Sequence, residues 1–90
     1  MKGNMSQKKA RDVDGCELVV GCNVILLSIP HGLTDGLPSP DVIAITEQIG
    51  SKVRVDSITS NELVEVDFFD KFGDYHSIWV EPYHLKATLA

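Results

Sequence analysis

The chain has 90 residues, of which 43% are hydrophobic and 23% charged, and its formal net charge is −5. This length fits one domain with a small core, and the composition is near the average of globular proteins, which argues against a disordered chain. No apolar run approaches the roughly 20 residues of a membrane-spanning helix, so we expect no membrane insertion.

Charge is distributed unevenly along the chain. Residues 1–12 contain four of the eight bases and one of the thirteen acids, so residues 13–90 contain four bases and twelve acids. We predict a flexible basic tail at residues 1–13 and one folded domain at residues 14–90. The basic start is not followed by an apolar segment of signal-peptide length, and we therefore expect a cytoplasmic protein with two reduced cysteines.

The first part of the domain predicts a strand and then a long loop. Val and Ile dominate the apolar stretch that follows Gly21, which favours a strand at about residues 22–28. Prolines and glycines then interrupt the chain between Pro30 and Pro40, as is typical of an irregular connection.

A short helix is predicted inside this connection, at residues 40–49. Ser39 supplies a candidate N-cap oxygen, Pro40 suits the first helical position, and Gly50 suits the left-handed residue that ends a helix. Apolar residues at helical spacing form the predicted buried side, namely Val42, Ile45 and Ile49.

Alternating apolar and polar residues predict a three-stranded meander in the second half of the chain. The strands span residues 52–58, 63–69 and 75–80. The first turn, at residues 59–62, needs a residue with positive φ, and Asn61 is the best candidate. The second turn ends at Gly73, which suits the left-handed position of a common hairpin connection.

Pro82 breaks the last predicted strand because proline has no amide hydrogen to donate, and the chain resumes an extended pattern at residues 85–89. This order of elements resembles an SH3-like small barrel, with residues 79–85 similar to the strand, 3₁₀ turn and closing strand of such barrels. Residues 20–86 also resemble a group of small uncharacterised bacterial proteins. The resemblance implies a mainly β fold of about five antiparallel strands, with a short helix inserted in the first long loop and a 3₁₀ turn before the last strand, but it implies no activity.

All six aromatic residues lie between Phe68 and Tyr83. If Val64, Val66 and Phe68 face the core, the two-residue period of a strand places their neighbours on the outer face. The candidate interaction surface therefore comprises Glu65, Asp67, Phe69, Tyr75, Trp79 and Tyr83. Two arrangements stay open at this point: the rings form an exposed surface, or the long loop and helix fold over them.

The sequence offers no pattern that specifies a reaction. Glu65 and Asp67 are predicted to be solvated carboxylates on one exposed face, where they keep ordinary acidity. His76 and Ser77 point to opposite faces of one strand, so they do not form a base and nucleophile. The three histidines match no metal-ligand spacing. We predict no catalytic residue, no metal site and no cofactor.

These observations favour a non-enzymatic protein-interaction module that self-associates as a homodimer through its aromatic hairpin face or through an unpaired strand edge. The acidic domain also suits a partner protein with a basic surface. The alternative is a nucleic-acid-binding small barrel of the KOW type, which the shortage of bases disfavours. A second alternative is a small-ligand site formed between subunits around Trp79 and Tyr83.

Overall fold

The computed structural model describes residues 10–88, and its main feature is one open sheet of five strands. The strands are β1 (Asn23–Leu26), β2 (Lys52–Ile58), β3 (Val64–Phe69), β4 (Tyr75–Val80) and β5 (Leu85–Ala87). Every neighbouring pair is antiparallel, in the order β4-β3-β2-β1-β5, so β4 and β5 form the two edges. A helix, α1 (Ser39–Glu47), lies in the connection between β1 and β2, and a 3₁₀ turn (Pro82–His84) precedes β5.

The predicted mainly β class, with five antiparallel strands, one helix and a 3₁₀ turn before the last strand, is confirmed by this architecture. The core contains mostly branched aliphatic side chains from one face of the sheet, and Phe68 is its only aromatic member. Its buried members are Ala10, Leu18, Val24, Leu26, Ile45, Val53, Val55, Val64, Val66, Phe68, Ile78, Val80 and Leu85.

The segment before β1 packs against this core from its first described residue. Ala10 is fully buried and Asp12 is 6% exposed. The Asp12 carboxylate accepts hydrogen bonds from the backbone N–H groups of Asp14 (2.9 Å), Cys16 (2.8 Å) and Ala87 (2.6 Å). Among the described residues, Ala10 and Asp12 of the predicted tail are thus part of the packed structure, and the rest of the predicted tail, residues 1–9, lies outside the described residues.

Helix α1 is shorter than predicted and starts differently. Its first residue is Ser39, and the carbonyl of Pro38 accepts the first backbone hydrogen bonds, so the Ser39 hydroxyl does not act as the expected cap. The helix buries Ala44 and Ile45. Ile49 was expected on the buried side, but it follows the end of the helix in a turn and is 43% exposed.

The position of the residue with positive φ was predicted correctly in one turn of the meander and wrongly in the other. Gly73 adopts φ +85°, as expected for the β3–β4 turn. In the β2–β3 turn the positive φ falls on Glu62 (φ 67°) and not on Asn61. There the Thr59 hydroxyl oxygen accepts hydrogen bonds from the N–H groups of Asn61 and Leu63. These hydrogen bonds hold Asn61 in the first part of the turn, and the chain reverses at Glu62.

Candidate interaction surface

Alternate residues of β3 and β4 form a ladder on the face of the sheet away from the core. The cross-strand pairs are Glu65 with Trp79, Asp67 with Ser77, and Phe69 with Tyr75. Phe69 is 66% exposed, Tyr75 54% and Trp79 42%. The long loop and α1 do not cover these rings, which together we call the outer aromatic face.

The rings of the outer aromatic face are held in defined positions. Phe69 and Tyr75 meet edge to face, with ring centroids 5.5 Å apart. Tyr75 also donates a hydrogen bond from its hydroxyl to the Asp67 carboxylate at 2.8 Å. The phenol is therefore anchored at its polar end while much of its apolar surface remains in water.

Asp67 is buried, and the expectation that it is a solvated carboxylate is wrong. It is 4% exposed, and Arg54 on β2 binds it through two hydrogen bonds, from Nε at 3.1 Å and from Nη2 at 2.7 Å. The hydrogen bond from Arg54 lowers the pKa of Asp67, and burial opposes this effect without overcoming it. The hydrogen bond to the carboxylate raises the pKa of Tyr75 and that of Arg54.

Glu65 and Tyr83, the other predicted members of the surface, lie in different surroundings. Glu65 is half-buried and accepts a hydrogen bond from the Ser57 hydroxyl at 3.0 Å. Tyr83 is 61% exposed, but it belongs to the 3₁₀ turn and contacts the ring of His84, outside the β3–β4 ladder. The structure therefore brings Glu65, Asp67 and the outer aromatic face together and places Tyr83 apart from them.

Phe72 is the most exposed aromatic residue, at 81%, and the sequence prediction did not include it. It lies in the β3–β4 turn directly before Gly73, where the Asp70 carboxylate accepts hydrogen bonds from the N–H groups of Phe72 and Asp74. A turn residue has no strand neighbour to cover it. The sequence signal for an exposed ring at this position is an apolar residue inside the turn that Asp70 begins and Gly73 ends.

A groove runs along the free edge of β4. Its floor is formed by five consecutive residues, Tyr75 to Trp79, and its volume is 430 Å³. The opposite wall comes from the long loop and from α1, through Leu33, Leu37, Asp41 and Ile45. We call this the edge groove.

A second cleft, of 380 Å³, adjoins the edge groove at Asp41 and His76 and extends between α1 and the β3–β4 turn. His76 Nε2 lies 2.8 Å from the Asp70 carboxylate, and its ring stacks on Phe68 with centroids 5.2 Å apart. His76 is therefore held at the sheet edge by a hydrogen bond to the β3–β4 turn. This hydrogen bond lowers the pKa of Asp70.

The structure also assembles a Ser–His–Glu cluster from segments far apart in sequence. Ser28 Oγ lies 2.7 Å from His84 Nδ1, and Glu81 Oε1 lies 3.3 Å from His84 Nε2. His84 is 8% exposed, and its buried Nε2 makes no well-aligned hydrogen bond. These contacts join the segment after β1 to the 3₁₀ turn, and neither of the two grooves described above is lined by Ser28 or His84.

Within residues 10–88 no three His, Cys, Asp or Glu side chains converge in a way that suits a metal ion. Over the same residues, no helix has the length and apolar character needed to cross a membrane. No protein-family model matches the chain, and no match is found among curated proteins or among solved structures.

Proposed function

We propose that this protein is a non-enzymatic interaction module that self-associates as a homodimer through the outer aromatic face. The observation that supports this proposal is the exposure of three aromatic rings on adjacent strands, in register and on one side of the sheet. Large exposed apolar side chains that share one face of a small domain are typical of a site where another molecule binds.

The rigidity of the face favours association. Binding costs less when side chains already hold their bound positions, because less rotamer freedom is lost. The hydrogen bond from Tyr75 to Asp67 and the edge contact between Phe69 and Tyr75 restrict two of the three rings before any partner arrives. Trp79, the third ring, is the side-chain type that most often dominates interface energies.

The exposed area of the three rings is smaller than the area that a standard interface buries. Aromatic side chains present about 150–250 Å² each, so the exposed parts of Phe69, Tyr75 and Trp79 supply about 300 Å² per protomer. A standard interface buries about 800 Å² per partner. The rings therefore supply only part of the proposed interface, and the polar residues Ser77, between Tyr75 and Trp79, and Glu65, opposite Trp79, belong to it as well.

The arrangement of the bases favours protein interaction over the nucleic-acid alternative. Three of the four bases in residues 13–90 already contact a carboxylate: Arg54 contacts Asp67, Lys71 contacts Glu47, and Lys86 contacts Asp14. Bases engaged in ion pairs are less available to phosphates, which provide most non-specific nucleic-acid affinity. An oligonucleotide shift at low salt that survives deletion of residues 1–11 would favour the nucleic-acid alternative instead.

We also propose the SH3-like barrel as the fold type, with the small bacterial barrel proteins as the group this chain resembles. The element order supports this assignment, because a 3₁₀ turn leads into a short last strand that pairs with β1. β1 also pairs with β2, so the first strand lies between the last strand and the meander.

Sedimentation equilibrium of three proteins tests the self-association. Trp79→Ala is expected to weaken the dimer by about 2–4 kcal/mol, which corresponds to a Kd increase of about 30-fold to 700-fold. The matched control is Phe72→Ala, because Phe72 is more exposed but lies off the face. A wild-type protein that stays monomeric at high micromolar concentration, or equal weakening by both substitutions, would refute the proposal.

A small ligand bound between subunits predicts a different result. In that case the tryptophan fluorescence changes saturably when metabolites are added, and the signal follows the dimer concentration. The proposed protein interaction needs no such ligand, so a dimer whose tryptophan fluorescence shows no saturable change with any metabolite favours the protein interaction, and a saturable change favours the ligand site.

A further inference from the structure

We infer that the free edge of β4 binds an extended, cationic segment of a partner protein, which adds to the sheet as a sixth strand. Among the described residues, β4 pairs only with β3, and no other segment forms backbone hydrogen bonds with it. Six residues at about 3.3 Å each give an unpaired edge about 20 Å long. This inference extends the proposed interaction role to a second kind of partner.

β4 lacks the features that protect sheet edges from pairing. Proteins shield exposed edges with proline, lysine, bulges or very short strands. The sequence of β4, Tyr-His-Ser-Ile-Trp-Val, contains no proline, lysine or glycine, and its pairing with β3 is continuous in register. The opposite edge, β5, has only three residues and carries Lys86 at its centre. β4 therefore lacks these sequence features, and the loop and helix beside it, all among the described residues, leave a groove and form no backbone hydrogen bonds with it.

The edge groove fits a single extended chain better than a second copy of this domain. The floor of the groove is the edge strand itself, and the wall of loop and helix residues rises beside it. A second domain that approached with its own β4 would bring a second wall of Leu33, Leu37 and Asp41 with it. An isolated segment adds a strand at the usual spacing of about 4.8 Å and carries no wall.

Charge specifies the chemistry of the segment. Asp41, Glu47, Asp70 and Asp74 line the cleft that continues the edge groove, together with the single base Lys71 and His76. Lys71 contacts Glu47 and His76 contacts Asp70, while Asp41 and Asp74 have no ion-pair partner among the described residues. A Lys or Arg of the incoming segment would meet these two carboxylates, whereas two copies of this edge would repel each other.

The apolar parts of the groove specify the rest of the segment. Leu33, Leu37 and Trp79 are apolar residues that line the edge groove. Alternate side chains of an added strand point to the same side, so apolar residues at alternate positions would contact this wall. The segment we infer therefore has alternating apolar residues followed by Lys or Arg.

A synthetic peptide tests this inference on the full-length protein. The probe alternates valine and threonine and ends in Lys-Lys, and binding is followed by the fluorescence of Trp79. Replacing both Asp41 and Asp74 by asparagine is expected to weaken binding about tenfold, because the lysines of the peptide lose both unpaired carboxylates of the site. The matched control is Glu62→Gln, an exposed acid in the β2–β3 turn, which is expected to bind the peptide as the wild type does.

Amide hydrogen exchange shows where the peptide binds. Strand addition is expected to slow the exchange of those β4 amides that point away from β3 and to leave those bonded to β3 unchanged. A peptide ending in Glu-Glu that binds equally well, unchanged β4 amides, or no binding at all would each overturn the inference.

Sedimentation of the same samples separates this inference from self-association. A dimer that binds no peptide rejects the edge site alone, and a monomer that binds the peptide rejects self-association alone. If the peptide converts a dimer into monomers, both proposals are supported and the two partners compete, because Tyr75 and Trp79 belong to the outer aromatic face and to the edge groove alike.

Discussion

Replacing Asp67 by asparagine tests whether the ion network beneath the outer aromatic face stabilises the sheet. The buried carboxylate accepts two hydrogen bonds from Arg54 and one from Tyr75. Asparagine has almost the same size but offers one acceptor oxygen and turns an amide group towards the guanidinium. A hydrogen bond to a charged group contributes about 1.5–3 kcal/mol, and the half-exposed Arg54 side chain places this site at the lower end.

We therefore expect Asp67→Asn to lower the free energy of unfolding by about 2 kcal/mol, which lowers Tm by about 8–16 °C in a domain of this size. Urea denaturation followed by the fluorescence of Trp79 measures the change. Asp56→Asn is the matched control, because Asp56 also contacts Arg54 but at 3.5 Å and with an exposed side chain. The control is expected to change stability by less than about 0.5 kcal/mol.

The pH dependence of the same variant provides the sharper test. The pKa of Asp67 is lower in the folded protein than its usual 3.8, so the unfolded chain binds more protons near that pH. Its contribution to stability is fully present above pH 3.8 and is lost as the pH falls towards the folded-state pKa. The stability difference between wild type and Asp67→Asn should therefore shrink below pH 3.8, and a difference independent of pH would refute the argument.

Two further substitutions and one thiol-labelling experiment test the structure that supports the outer aromatic face. Asp12→Ala should cost about 3 kcal/mol of unfolding free energy because three backbone donors lose their acceptor, whereas Asp14→Ala, at an exposed carboxylate, should cost under about 0.5 kcal/mol. Gly73→Ala should cost about 1–2 kcal/mol, because the alanine must adopt φ near +85°; an unchanged urea midpoint would contradict this. The exposed Cys16 should react with a thiol reagent faster than the half-buried Cys22, and Cys16→Ser should remove the fast phase.

The elements that the sequence predicts well are those set by local pattern. The three strands of the meander agree with prediction to within one residue, because alternation along each strand reports which side is buried. Gly73 is equally local, since a positive φ in a short turn selects glycine. The end of α1 was less well predicted, because its last turn loosens before Gly50 and leaves Ile49 outside the helix.

The parts that the sequence does not predict depend on residues far apart in the chain. Asp67 alternates as an exposed residue should, and only the guanidinium of Arg54, thirteen residues earlier, makes its burial possible. Ser28 and His84 are separated by 56 residues. Strand alternation reports which face a side chain occupies, but not which neighbour covers it on that face. The ion network and the Ser–His–Glu cluster therefore could not be predicted from the sequence and are seen only in the three-dimensional structure.

Register explains why the outer aromatic face cannot be covered by a small adjustment of the hairpin. Shifting a strand by one residue moves all its side chains to the opposite face, so placing Phe69 inside would place Phe68, Val66 and Val64 in water. Helix α1 does not cover the rings either, because its Ile45 is already part of the core on the other face. Burial of one large side chain contributes about 1.5–3 kcal/mol, so exposing these three core residues would cost more than enclosing Phe69 could return. Within this fold, contact with a second molecule is the route that removes these rings from water without giving up the core.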